Sequence, residues 1–361
     1  MCKKIKNLFF TGFQGVTIAV VIILLVCPLS CKLTAEGIDI IKGDYTSPKM
    51  SECLVLDDKH LELDFSEKVD VTGVSISKNE QSMGKDLVGK RTINCYVEEN
   101  EKENVIITLE NSTEIGSSYI VTGVVEDGAG NSLTFSVPFS GYNGKIPRLI
   151  ITELQNESSG GSSSLGLYRG EFVRFLALDD GNLFGLSFGC ASKPKDNYVF
   201  PAINVSKGES IILHLQQKGN GCVSEEDDDL NIASNDYTEN GIRDLWRNIP
   251  DSILGNKCDV IYLKDNIKNE IVQGIAYSDG SKTEWADNYV PYVKQLAELN
   301  LFNAEDIGNA CNVKSVTSKK TLQRKNVADI ENMLKNNVDI DSLYSGKDDY
   351  IVCGVKDGFV K

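Results

Sequence analysis

His60-Leu61-Glu62-Leu63-Asp64-Phe65 alternates polar and apolar side chains without a break. A β-strand turns successive side chains to opposite faces, so Leu61, Leu63 and Phe65 share one face and the polar residues the other. Four further runs, 71–77, 105–109, 118–125 and 132–139, are rich in Val, Ile, Thr and Tyr and are parted by turn-forming residues. Between the last two stands Asp127-Gly128-Ala129-Gly130-Asn131, a cluster that predicts a hairpin. Short strands at this spacing predict a small sandwich.

A second β-region follows at once. Gly141-Tyr142-Asn143-Gly144-Lys145-Ile146-Pro147 is a linker by composition. Arg148-Leu149-Ile150-Ile151-Thr152-Glu153-Leu154 then opens a new series, continued at 170–178, 185–188, 210–216, 259–264 and 270–277. The Ser/Gly stretch 158–164 reads as a flexible loop. Two stretches change period. Tyr289, Tyr292, Val293, Leu296 and Leu299 fall at helical spacing, with Pro291 suited to a first turn. A second helix is predicted from Val327 to Lys335, with Asn326 as N-cap and Asp329 three residues later. Each helix is expected to pack its apolar stripe over the sandwich edge. The predicted fold class is all-β: two sandwiches in series, 48–143 and 147–361, the second with short helical insertions.

Charge narrows the function. Lys and Arg number 37 against 52 Asp and Glu, a net charge of −15 in 361 residues. Such a surface repels phosphate backbones, which argues against nucleic acid as a partner. His60 and His214 are the only histidines, too few for a histidine metal cage. His214, in Ser210-Ile211-Ile212-Leu213-His214-Leu215, is expected to face outward with Ile212, and His60 opens a strand. No G-x-S-x-G elbow accompanies either, and Gly181 and Gly185 are not followed by the Lys-Ser/Thr of a phosphate loop.

The N-terminus supplies an address. Lys3, Lys4 and Lys6 precede an apolar run that is densest over 18–26. That run is far short of the about 20 residues a bilayer span needs, and it suits a secretory signal. It ends in Pro28-Leu29-Ser30-Cys31, where a small residue directly precedes a cysteine. This resembles a bacterial lipobox, of the relaxed kind familiar in spirochaetes, with Pro28 standing where Leu is usual. The resemblance implies cleavage after Ser30 and diacylglycerol on the Cys31 sulfur. Residues 1–30 are then a signal peptide and 31–47 a lipid-anchored tether. A plain secreted protein and an uncleaved N-terminal anchor are the alternatives. Removing residues 1–30 takes away three lysines and no acids, so the net charge moves from −15 to −18. The body is therefore not expected to hold an anionic membrane, and the acyl chains must. Seven cysteines follow Cys31, at 53, 95, 190, 222, 258, 311 and 353, with no CxxC spacing. They are either scattered buried thiols or include one or two disulfides in the second region.

Local clusters offer few sites. Glu225-Glu226-Asp227-Asp228-Asp229 is the densest acid run, and Asp227, Asp228 and Asp229 are the candidate Ca²⁺ ligands. The EF-hand spacing is absent, and a solvated acidic loop is the plainer expectation. No catalytic residue and no cofactor besides that Ca²⁺ is expected. Trp246, flanked by Arg243 and Arg247, is the candidate partner-binding spot if it is exposed; otherwise it pins a loop.

Two further resemblances concern the body. Phe65-Ser66-Glu67-Lys68-Val69, together with Tyr119-Ile120-Val121 and the 127–133 turn, resembles bacterial Ig-like domains, which serve as spacers and adhesion modules on exported proteins. Residues 147–352 resemble a lamin-tail domain, an Ig-like sandwich. The matching phrases are Leu149-Ile150-Ile151-Thr152-Glu153-Leu154, Gly181-Asn182-Leu183-Phe184-Gly185-Leu186, Asp259-Val260-Ile261-Tyr262-Leu263 and Thr321-Leu322-Gln323-Arg324. Phe172-Val173-Arg174-Phe175 replaces the usual Trp-Ile-Glu-Leu strand, and the insertions 222–256 and 283–316 are long. The resemblance implies a lipid-anchored envelope protein, periplasmic or surface exposed, that acts as a non-catalytic binding or structural module in adhesion or as an envelope scaffold. Its partners are the membrane, through the lipid, and an unknown protein or glycan. The rival is an envelope hydrolase with its centre within 222–316. One expectation is directly measurable: metabolic labelling with a tagged fatty acid should mark the wild type and leave Cys31→Ala unlabelled. Equal labelling of both would remove the anchor.

Overall fold

The computed structural model describes residues 44–80, 89–99, 101–157, 170–234, 238–340 and 342–354. The signal segment, Cys31, most of the tether and the 158–164 stretch lie outside the described residues. Among the described residues, no helix is long and apolar enough to cross a membrane.

The alternation at Leu61, Leu63 and Phe65 is realised, and the strand runs further than its pattern suggested. The runs at 60–65 and 71–77 are one strand, β2 (His60–Glu80), with irregularities between Asp64 and Val69 and between Val71 and Gly73. Its first half pairs with β1 (Met50–Val55) and β5 (Lys102–Leu109). Its second half pairs with β3 (Gly89–Ile93) and β6 (Ser118–Asp127). β4 (Cys95–Val97) extends one side and β7 (Ser132–Ser140) the other. Bulges bend a strand and increase its twist, so one strand serves both halves of a sheet that wraps its own core. Leu61, Leu63, Val105 and Ile107 meet Ile76, Val121, Val125 and Phe135 in that core. The expected hairpin is built by Asp127, whose Oδ1 accepts the backbone N–H groups of Ala129 and Asn131, both at 2.8 Å. Gly130 supplies the left-handed residue, with φ +86°.

The second region holds two sheets. β8 (Leu149–Gln155), β9 (Phe172–Ala177), β14 (Ser210–His214), β15 (Arg243–Trp246), β19 (Lys320–Arg324) and β20 (Tyr350–Gly354) lie in the order β15-β14-β9-β8-β19-β20. β11 (Leu186–Cys190), β12 (Tyr198–Val199), β16 (Cys258–Asp265), β17 (Glu270–Ser278) and β18 (Cys311–Asn312) lie in the order β12-β11-β16-β17-β18. A short pair, β10 (Gly181–Asn182) with β13 (Asn204–Val205), stands apart. Ile151, Phe175 and Leu213 from the first sheet meet Phe188, Ile261 and Ile275 from the second in one core.

Both helices form where the spacing placed them, α1 at Val290–Glu298 and α2 at Val327–Lys335. α1 inserts Val293 and Leu296 into the main core beside β17. Gly274 makes room for it, since a Cβ there would lie 2.8 Å from the Leu296 Cδ2. The position of α2 differs from expectation. It covers the outer face of the six-stranded sheet, where Ile330 and Leu334 pack on Ile150, Leu176 and Leu178. With the insertion that covers Phe172 and Arg174 through Ile242 and Glu239, it leaves β8 and β9 buried at every position instead of alternating. Asn326 occupies the N-cap without capping, because its Oδ1 accepts from the Arg324 guanidinium at 2.9 Å.

The Gly/Asn/Pro stretch 141–147 is tied down on both sides. The Gly141 N–H donates to the Ser117 carbonyl at 2.9 Å, and a Cβ at Gly141 would collide with the Glu114 carbonyl oxygen. Asn143 is buried, and its Nδ2 donates to the carbonyls of Asn182 at 2.8 Å and Phe184 at 2.6 Å. A stretch with loop composition is thus anchored by the second region's own backbone. Asn143→Ala strips the donor from both carbonyls, at an expected cost of about 1–3 kcal/mol. Limited proteolysis should open 141–147 in the variant while the wild type resists there. A first wild-type cut within this stretch would contradict the contacts.

Candidate binding groove and the insertion at the opposite edge

The 222–257 insertion is organised by one buried cation. Arg243 opens β15, which pairs in parallel with β14 and so closes that end of the sheet. Arg243 is 2% exposed. Its Nε donates to Glu209 Oε1 at 2.6 Å, and its Nη1 to the carbonyls of Glu225 at 2.6 Å and Asp227 at 2.8 Å. Glu225 then seals the outer edge of β15. Its N–H donates to the Asp244 carbonyl at 2.9 Å, and its carboxylate accepts the N–H groups of Asp244 at 3.0 Å and Ala233 at 3.1 Å. The Ser224 hydroxyl accepts the Trp246 N–H at 3.3 Å. One residue of the acid run is therefore a structural acceptor. Asp227, Asp228 and Asp229 are exposed.

This arrangement decides four expectations. Trp246 is 6% exposed rather than presented to a partner, and it stacks on His214 at 3.8 Å between ring centroids. His214 faces inward, with Nε2 at 2.7 Å from Asp244 Oδ1. The alternation was real, but the insertion and its strand cover the face that was expected to be solvated. Arg243 and Arg247 do not flank an open recognition spot either: Arg243 is spent as described, and the Arg247 Nη1 donates to the Asp251 carbonyl at 3.3 Å. Nor do Asp227, Asp228 and Asp229 converge on a cation. The Asp229 Oδ1 accepts the Asn231 N–H at 3.1 Å. Among the described residues, the carboxylates that do converge are Asp44, Glu67 and Asp127, with oxygens within 4.8 Å of one another. Burial, then Asp127 and Asp44, pushes the Glu67 carboxyl up, while the Asn131 side chain holds Asp127 down. Asp127 already accepts from the 129–131 turn.

Other buried acids pin the far end of the insertion. Glu171 accepts from the Ser252 hydroxyl and from the N–H groups of Ile253 at 2.9 Å and Leu254 at 3.2 Å. Asp259 accepts from the Ser192 hydroxyl and from Gly255 N at 2.8 Å. Burial raises both carboxyls despite these donors. A raised folded-state pKa favours the protonated fold, so their contribution to stability is fullest below the ordinary carboxylate range and is lost as pH climbs through the raised values. Cys190, Cys222 and Cys311 are buried thiols rather than disulfides, and burial pushes Cys190 up to about 11. Cys53, Cys95 and Cys258 are half-buried thiols.

A wide concavity lies at the opposite end of the sheet. A groove of about 920 Å³ runs where β18 ends one sheet and β20 the other. Lys282, Lys314, Lys320 and Lys347 line it, with Asp306, Asp348 and the polar side chains of Ser278, Thr283, Asn312 and Ser315. A smaller lobe of about 340 Å³ shares Thr283, Asp306 and Ile307 and is floored by Trp285 and Val293. Lys347 bridges to the Gly308 carbonyl and Asn309 Oδ1, both at 3.2 Å. Lys282, Lys314 and Lys320 are exposed and have no ion pair among the described residues. The groove draws on 278–283, 306–315, 320 and 347–352, segments too far apart in sequence for any motif to have announced it.

Residues 147–340 match a family model described as the TP_1001 protein second domain. An uncharacterised protein of Treponema pallidum (strain Nichols) is 26% identical over 168 residues, covering 45% of this chain and 40% of that protein. The match thus spans less than half of the relative's length. Among solved structures, a DUF4876 family protein from Bacteroides thetaiotaomicron is similar at TM-score 0.29 and 11% identity, covering 72% of this chain and 84% of that one. The N-terminal part of the bacterial S-layer protein SbsC is similar at TM-score 0.23 and 15% identity, covering 64% and 44%.

The buried arginine makes a quantitative expectation. Arg243→Ala leaves the Glu209 carboxylate and two loop carbonyls without their donor. Removing one partner from a buried charged network costs about 3–5 kcal/mol. Urea unfolding followed by tryptophan fluorescence should show that loss, and a variant within about 1 kcal/mol of wild type (the net worth of a single ordinary hydrogen bond) would refute the role.

Proposed function

This chain belongs to the family described as the TP_1001 protein second domain, and from that premise we propose that it is a lipid-anchored protein of the bacterial cell envelope whose β-sheet body is a non-catalytic binding module. The observation that carries the reading is the groove. It presents ammonium groups and hydroxyls on an open floor, the chemistry of holding a ligand. Neither histidine lines the groove. His214 spends Nε2 on Asp244 beneath Trp246, and the His60 Nδ1 lies 2.8 Å from Asp57. In this reading residues 1–30 are the signal peptide, 31–47 the tether from Cys31, 48–143 an Ig-like spacer and 147–361 a lamin-tail-like binding unit, with adhesion or envelope scaffolding as the task. The relation to a spirochaete protein supports the relaxed lipobox as the relevant comparison.

A body of net charge −18 is repelled by anionic head groups, so the lipid must supply the membrane affinity. The full chain, produced in a lipidating bacterium, should partition into the detergent phase and sediment with envelopes. Residues 32–361 alone should stay aqueous and ignore vesicles containing phosphatidylglycerol. A full chain in the aqueous phase, or a body that binds those vesicles, would overturn the reading.

A further inference from the structure

We infer that the groove beside β20 receives an extended acidic peptide of a partner protein, which adds to the sheet as a further strand and sets its carboxylates against Lys282, Lys314 and Lys320. The inference rests on the binding-module reading and gives its groove a ligand class.

Strand addition needs an open edge. The six-stranded sheet ends on β15 at one side and β20 at the other. The two ends are treated differently. On β15, the Asp244 N–H and C=O and the Trp246 N–H are all taken by Ser224 and Glu225. β20 borders the groove instead. Tyr350, Ile351 and Val352 line it consecutively, and a strand facing a cavity with one surface would contribute only alternate residues. The groove therefore meets β20 edge-on, where backbone N–H and C=O groups can pair with an incoming chain. Ile351, 51% exposed, adds apolar surface along the same edge.

Charge selects the occupant. In a chain of net −15, three exposed lysines share this groove without an ion pair among the described residues. Asp306 and Asp348 line it too, so a dense polyanion would meet repulsion. An extended peptide with acids at alternate positions spaces its charges about 7 Å apart on one side and can reach the lysines selectively.

The test uses the full-length protein in nonionic detergent and a fluorescein-labelled eight-residue peptide alternating Glu and Val. Anisotropy at low salt should saturate. Lys282→Glu with Lys314→Glu should weaken binding at least tenfold, and so should 0.5 M salt. Two versions of the peptide, N-methylated at odd or at even amides, keep every charge. One of them should lose at least tenfold, because methylation removes the donors that strand pairing requires. Absence of saturation, or equal binding by both methylated peptides, would overturn the proposal. Tighter binding of a hyaluronan oligosaccharide would reassign the groove to a glycan. A salt-sensitive dimer formed without peptide would reassign it to a second copy. Failure here leaves the anchoring result standing, since that depends on the N-terminus and not on the groove.

Discussion

A sheet edge must be paired, capped or covered, and the second half of this protein is arranged around that constraint. The six-stranded sheet is finished at one side by a four-residue strand, β15, whose outward groups are taken by Glu225 and Ser224. That seal exists only because Arg243 gathers the carbonyls of Glu225 and Asp227. The guanidinium is held by Glu209, so the acid loop, the strand and the sheet edge form one bonded unit. The long insertion is therefore an edge closure first, and its mixed composition is the chemistry of that task.

Buried ions recur wherever the sheet's outer face is covered. Arg174 is 5% exposed, with its Nη2 2.9 Å from Glu239 and its Nε 3.3 Å from Glu153. Glu153 also accepts from Thr321 at 2.5 Å and Gln323 at 3.0 Å. An unpaired charge at such depth would be strongly destabilising, so each is supplied with several partners. The Phe172-Val173-Arg174-Phe175 strand carries a charge because its polar position looks into this covered layer and not into water.

Much of the fold was legible because alternation and helical spacing are local signals. The strand runs read from the sequence, the 127–131 hairpin and both helices appear where their residues indicated, with 60–65 and 71–77 joined in one strand. The short strands β1, β3 and β4 of the first region and β10, β12, β13, β15, β18 and β20 of the second were missed, being too brief or too mixed to show a period. The site was far less legible. His214 and Trp246 were expected near solvent because one strand's pattern cannot report what lies across from it. The lysines of the groove are individually ordinary, and only the folded chain brings them together.

The sequence by itself determined the β-rich class, the order of the elements and the charge of the surface. These follow from side-chain period, turn chemistry and composition, each readable within a dozen residues. Tertiary structure alone decided which faces are buried, which acids are structural and which cations are left facing a groove. Burial and pairing depend on contacts between segments as distant as Lys282 and Lys347, and no local pattern encodes the neighbour a side chain will meet.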